Sequence, residues 1–287
     1  MNLKLAGFAA AILAIVIFSG ASVSPAQTGT GAGTTETQFS TPAFYGKSLI
    51  NLPTTKCLDK GEVLFRVSHR FIQPSNSGYH SFYGLDGPAY ILLSFGYGIR
   101  DDWSVTLGRT NFRDEVELSS VFSLFQQGGT HNLPLSAVLV GAATLTTQVP
   151  PGELVFVHKN VRLSIQAGIS RQVTNRLSVL VVPSFASNTE YDVTEKQNTF
   201  GLGVGGRMLV LNNISLVGEI VPVMSGYKTD INTWGLGVEI KKGGHVFHFF
   251  MNDEYGLTPN QYLPGGDLKL ADGNVRFGFN IYRSFWL

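Results

Sequence analysis

Ten charged residues share one structural habit. Arg66, Arg70, Glu115, Glu117, Arg162, Arg207, Glu219, Glu239, Lys241 and Arg276 each fall opposite apolar residues that recur at every second position. On a strand, a period of two sends the charges to one face and the apolar groups to the other. A mixed set of acids and bases on one shielded face can do two things. It can form ion pairs that stiffen a wall, or it can line a passage that selects polar solutes. The sequence leaves both open.

Other chemistry is harder to assemble. Gly201-Leu202-Gly203-Val204-Gly205-Gly206 contains a GxGxxG pattern. A dinucleotide site needs a helix opening at its end, whose N-terminus meets the phosphates. Here the strand alternation runs straight on to Met208, and Gly201, Gly203 and Gly205 share a face. Such a stripe relieves crowding or admits a neighbouring segment. Six histidines are present, His69, His80, His131, His158, His245 and His248. The closest pair, His245 and His248, point to opposite faces of a strand, whereas a metal needs converging ligands. No GxSxG occurs, so hydrolysis would require catalytic groups gathered from separate strands. Cys57 is the single cysteine, which excludes an internal disulfide. No metal, cofactor or catalytic residue is therefore assigned.

The elements that must position the ten charges are strands. Of 287 residues only 14% are charged, while Gly (33) and Phe (20) are abundant. Beyond the N-terminus no apolar run reaches the roughly 18 residues of a membrane-crossing helix. Residues 1–26 read as a signal peptide: Lys4 precedes the apolar run Leu5–Phe18, and Ser24-Pro25-Ala26 supplies small residues for cleavage. Past it, basic and acidic residues balance at 20 each, without the surplus that nucleic-acid binding requires. Residues 27–60 read as a periplasmic leader, flexible and Gly/Thr-rich to Thr41, whose stretch from Pro42 either lies outside the barrel or plugs it.

From Gly61 the alternation hardly stops. It marks about twelve strands, most near the roughly 9–11 residues of a tilted barrel strand. Residues 135–147 are apolar on both faces, and Val217 and Val221 blur the contrast of their strand. Tight connections at 100–102, 174–176, 212–213 and 242–244 alternate with long ones at 72–88, 148–160, 188–199, 225–232 and 254–272. Only Arg113-Asp114 departs. The last strand, Gly273–Leu287, ends the chain with an apolar face. All this predicts an all-β fold, a transmembrane up-and-down antiparallel β-barrel spanning residues 61–287, with both chain ends on the periplasmic side.

The runs GEVLFRVSHRF (Gly61–Phe71), GLDG (Gly84–Gly87), GYGIRDDWSVTLGR (Gly96–Arg109), GGHVFHFFMND (Gly243–Asp253) and the closing GFNIYRSF resemble a bacterial outer-membrane barrel family catalogued only as a domain of unknown function. The resemblance covers roughly residues 48–285. It implies an outer-membrane location and brings no activity with it. Such barrels commonly end in an aromatic residue, and this chain ends in Leu287 behind Trp286. The expected function is a channel for small polar solutes. The alternatives are an outer-membrane enzyme acting on lipid and a plugged structural or docking barrel. Expected partners are outer-membrane lipid, the barrel-assembly machinery during insertion, and a small polar solute, with no nucleic acid.

Overall fold

The computed structural model describes residues 39–129, 133–191 and 197–286. The signal peptide at 1–26, leader residues 27–38, His131 and Leu287 lie outside the described residues. The alternating stretches form strands β1 (Glu62–Phe71), β2 (Ala89–Arg100), β3 (Trp103–Thr110), β4 (Glu115–Phe125), β5 (Ser136–Thr146) and β6 (Val161–Gln172). They continue as β7 (Leu177–Ala186), β8 (Thr199–Leu211), β9 (Ile214–Val221), β10 (Val223–Gly226), β11 (Thr233–Lys242), β12 (His245–Asn252) and β13 (Arg276–Trp286).

Every pairing is antiparallel, and β13 returns to β1 with Ile281 opposite Val67. Segments β9 and β10 are one strand interrupted at Pro222, which has no N–H for a ladder. Both pair with β8. The sheet is thus a closed barrel of twelve strands, without a free edge.

Its outer wall is apolar. Leu107, Leu118, Phe95 and Phe249 stand more than half exposed on it, while Ser104, Thr110, Ser184 and Asn280 are buried inside. This reverses the distribution of a soluble protein and matches a wall that faces hydrocarbon. In β5, Val138, Val140 and Thr144 turn inward while Leu139 and Ala143 turn outward, which settles the register the sequence left ambiguous. Inside, Val138 and Val140 pack with Val121, and Cys57 lies against them.

The inner face is not uniformly polar, as simple alternation would have it. Leu180, Val182, Ala186, Val217 and Val221 all face inward, where they join one apolar cluster. Their partners come from outside the barrel wall: Phe44, Leu49, Ile50 and Leu52 precede β1, and Tyr262 and Leu263 lie between β12 and β13. An apolar patch on the lumen side makes sense only because apolar chain is packed against it.

The rims differ as the connection lengths require. One rim carries the tight turns between β2 and β3, β8 and β9, and β11 and β12. The other carries the long connections. The exception there, between β3 and β4, is a short turn in which Arg113 (φ 57°) and Asp114 (φ 48°) both take the left-handed conformation. That geometry suits the twist of a tight hairpin. Asp114 also pairs with Arg109 at 2.9 Å.

Candidate functional site: the barrel lumen

Residues 42–58 run into the lumen from the tight-turn rim, reverse, and leave by the same rim. At the way in, Ser40 N–H donates to Asn175 Oδ1 (2.9 Å) in the turn between β6 and β7. At the way out, Lys60 N–H donates to Asp101 Oδ1 (2.9 Å) in the turn between β2 and β3. The reversal is a small loop closed by a Ser48–Pro53 bridge, with Leu49 N–H on Leu52 C=O (2.9 Å) and Thr54 N–H on Lys47 C=O (2.9 Å).

The tip of this loop is held by buried wall residues. Glu219 on β9 accepts three backbone N–H groups, from Ile50 (3.0 Å), Asn51 (2.8 Å) and Leu52 (3.1 Å). Asn280 on β13 donates to Ile50 C=O (3.0 Å). Arg70 on β1 donates to both Asn51 Oδ1 (2.9 Å) and Asn280 Oδ1 (3.0 Å), and stacks 4.5 Å from the Phe250 ring. Backbone donors that the tip cannot satisfy within itself are thus met by a charged acceptor, where such bonds are strongest.

A second grip lies nearer the tight-turn rim. Glu239 on β11 pairs with Arg207 on β8 (2.6 Å), contacts His248 Nε2 on β12 (3.0 Å) and accepts Gly46 N–H (3.3 Å). Arg207 also donates to Pro42 C=O (3.3 Å), and its guanidinium lies 3.8 Å from the Tyr45 ring. Lys241 covers the same ring at 4.7 Å and is itself exposed at the rim.

The glycine stripe has its explanation here. A Cβ at Gly203 would run into the Leu52 side chain, and one at Gly205 would stand 2.5 Å from Leu49 Cδ1. On the adjoining wall a Cβ at Gly235 would stand 2.7 Å from Ile50 Cδ1. These positions leave room for the segment, and β8 continues as strand through the whole GxGxxG. Gly203→Val is therefore expected to overpack Leu52 and loosen the segment by about 1–3 kcal/mol. The check is faster proteolytic cleavage within residues 42–58, with the barrel's heat-modifiable gel mobility retained.

The long-loop rim sends its own chain inward. The connection from Asp253 to Val275 contains an α-helical turn, Pro259–Tyr262, started by a capping box between Thr258 and Gln261. Glu115 on β4 anchors this turn by accepting from Thr258 Oγ1 (3.1 Å), Asn260 Nδ2 (3.1 Å) and Gln261 Nε2 (2.7 Å). Tyr191 OH also donates to Glu115 (2.6 Å), with the Arg162 guanidinium 3.8 Å from the Tyr191 ring and bonded to Thr146. Tyr262 OH accepts from Gln166 (2.8 Å), and Arg276 clamps Asp267 through both terminal nitrogens. Burial pushes the Asp253 carboxyl up to about 8 and that of Glu254 up to about 7, the latter against the opposing pull of Arg70. The two inward segments meet where Asn51 Nδ2 donates to Glu254 (3.1 Å).

Of the ten charges singled out in the sequence, the structure brings Arg207 and Glu239 into direct contact. Arg70 and Glu219 meet through Asn51, and Glu115 and Arg162 through Thr146 and Tyr191. Arg66 and Glu117 face a shared cavity, while Arg276 and Lys241 hold opposite rims. Sequence reasoning gave no role to Asn51, His248, Glu254, Tyr262 or Asn280. The inward faces of His248 and Asn280 follow from alternation alone, whereas the other three lie on segments with no period to read. On the outer wall, His69 stacks on Phe279 (4.8 Å, 9°). Among the described residues its ring bonds no serine or carboxylate.

No curated protein matches this chain. Solved structures similar to it include the NanC porin, 7% identical over 77% of this chain and 98% of that one, with a TM-score of 0.49. An outer membrane channel from Pseudomonas putida F1 is 12% identical over 80% and 98%, with a TM-score of 0.47. Omp33 of Acinetobacter baumannii is 12% identical over 79% and 99%, at 0.40. A family model, described as a membrane bound beta barrel domain, matches residues 44–285, a span that starts inside the lumenal segment and ends in the closing strand. The chain thus belongs to the membrane bound beta barrel domain family DUF5777.

Proposed function

We propose that the protein is an outer-membrane pore for small polar solutes, held shut by its own N-terminal segment. The tight-turn rim is periplasmic on this reading, as are both chain ends. The observation that carries it is the path of residues 42–58. They enter and leave by one rim, and they are joined to the wall by hydrogen bonds and packing rather than by strand pairing. Such a segment can withdraw without breaking the barrel. Its withdrawal would uncover Arg70, Glu219, Arg207, Glu239 and Asn280, a mixed polar lining suited to hydrated solutes.

Planar-bilayer recording tests the reading. The full chain should be mostly silent, and a variant lacking residues 40–58 should give stepwise conductance. Silence from that variant, once its heat-modifiable mobility shows a folded barrel, would sink the pore. A filled lumen also suits a docking barrel. That second reading would rest on the loop between β1 and β2, which holds Tyr79, Phe82 and Tyr83 well exposed. It gains ground if the deletion is silent while removal of Tyr79–Gly84 abolishes binding of an external partner.

A further inference from the structure

Between the two inward segments and the wall of β13 and β1 to β6 lies a partly open cavity of about 110 Å³. Lys47 faces it from the N-terminal segment, Tyr262 from the long-loop side, and Arg66, Glu117, Gln166 and Tyr282 from the wall. Its charges are of both signs, and among the described residues no direct ion pair joins them. The ion pairs nearby join Glu239 to Arg207 and Asp267 to Arg276. Among the described residues, Lys47, Arg66 and Glu117 enter none. Arg66 gives Nε–H to Ser68 (2.6 Å), and its guanidinium lies 5.5 Å from the Tyr282 ring at the cavity. Lys47 has one long bond to Ser104 (3.4 Å), and Glu117 accepts one long bond from Thr144 (3.4 Å).

Charged groups away from bulk water are costly unless something of opposite sign meets them. Two cations and a carboxylate around one small space discriminate in both directions. The cations disfavour a simple cation, a simple anion leaves the carboxylate without a partner, and a molecule carrying both charges gives each of the three groups an opposite charge to meet. Size narrows the class further. A dry cavity of about 150 Å³ takes benzene, so this one takes a molecule of about five heavy atoms.

We propose that the cavity is a binding site for a zwitterion of glycine size. The ligand's carboxylate meets Arg66 and Lys47, and its ammonium meets Glu117. The inference deepens the pore reading by naming the class of solute, and it rests on that reading for its role. The N-terminal segment flanks the site on one side and the turn Pro259–Tyr262 on the other.

Isothermal titration calorimetry on the full chain in detergent tests it with three probes of equal heavy-atom count: glycine, glycolate and glycinamide. Glycine should bind saturably, with glycolate and glycinamide at least tenfold weaker. Arg66→Gln and Glu117→Gln should each weaken glycine at least tenfold in barrels that keep heat-modifiable mobility. Lys47→Met, which leaves the wall untouched, serves if either wall variant fails to fold. No saturable glycine binding, equal binding of all three probes, or affinity unchanged by the substitutions would overturn the site. Glycine binding with a silent deletion variant would remove the pore and keep the site. Conductance without glycine binding would do the reverse.

Discussion

Glu219→Ala is expected to release the N-terminal segment from the lumen while the barrel stays closed. The carboxylate accepts the N–H groups of three consecutive residues, Ile50, Asn51 and Leu52, all buried or nearly so. Without it these donors have no acceptor. A buried donor left unpaired costs about 1–3 kcal/mol, more when the lost partner was charged. Three such losses at one loop tip are not additive, and about 3–6 kcal/mol is a reasonable range. Arg70, which reaches the same tip through Asn51, also loses a nearby opposite charge. The strand itself keeps its ladder, since only a side chain is removed. Proteolysis should therefore cut within residues 42–58 at least a hundredfold faster, and bilayer recordings should show openings that the full chain lacks. Glu219→Gln keeps one acceptor oxygen and should fall between. Protection and silence unchanged in Glu219→Ala would mean that apolar packing of Leu49, Ile50 and Leu52 holds the segment by itself.

Removing Glu239 should strongly destabilise the barrel itself. Its side chain is 3% exposed and that of Arg207 is 1% exposed, so their 2.6 Å contact is a buried ion pair. Deleting one member of such a pair typically costs about 3–5 kcal/mol, because the other charge is stranded. Here Glu239→Ala also strands Gly46 N–H and removes the partner of His248 Nε2. Lys241 and Arg207, both stacked on Tyr45, are then two cations around one ring with no carboxylate beside them. Loss should appear as unfolding at lower urea concentration, followed by gel mobility. The double variant Arg207→Met/Glu239→Leu should regain part of the loss, since a pair replaced together by apolar groups strands no charge. It should not regain all of it, because Gly46 N–H remains unpaired. A double variant no better than Glu239→Ala would show that the hydrogen bonds outweigh the ion pair.

Both expectations concern residues that alternation had already placed opposite an apolar stripe, and that is the extent of what alternation says. In β13, the order Arg276, Phe277, Gly278, Phe279, Asn280, Ile281 tells which side chains share a face. It does not tell that Asn280 binds Ile50 C=O, 230 positions away in sequence. Val217 and Val221 looked like noise in a two-faced strand, and they are the wall's share of an interior apolar cluster. Their meaning depends on a segment whose own sequence, Pro42 to Leu58, has no period to reveal its path. Glu115 is similar: its face was readable, but its role as anchor depends on a turn that begins at Thr258.

Strand number, face and rim length were therefore legible in the chain, because they follow from local rules. A period of two sets the face of each residue, an apolar outer stripe calls for lipid, and connection length separates one rim from the other. The filling of the lumen was decided only by tertiary structure. Which carboxylate meets which backbone donor, and which charges are left facing a cavity, depend on where two aperiodic segments come to rest. Those positions are set by packing and hydrogen-bond satisfaction among residues far apart in sequence, and no local pattern encodes them.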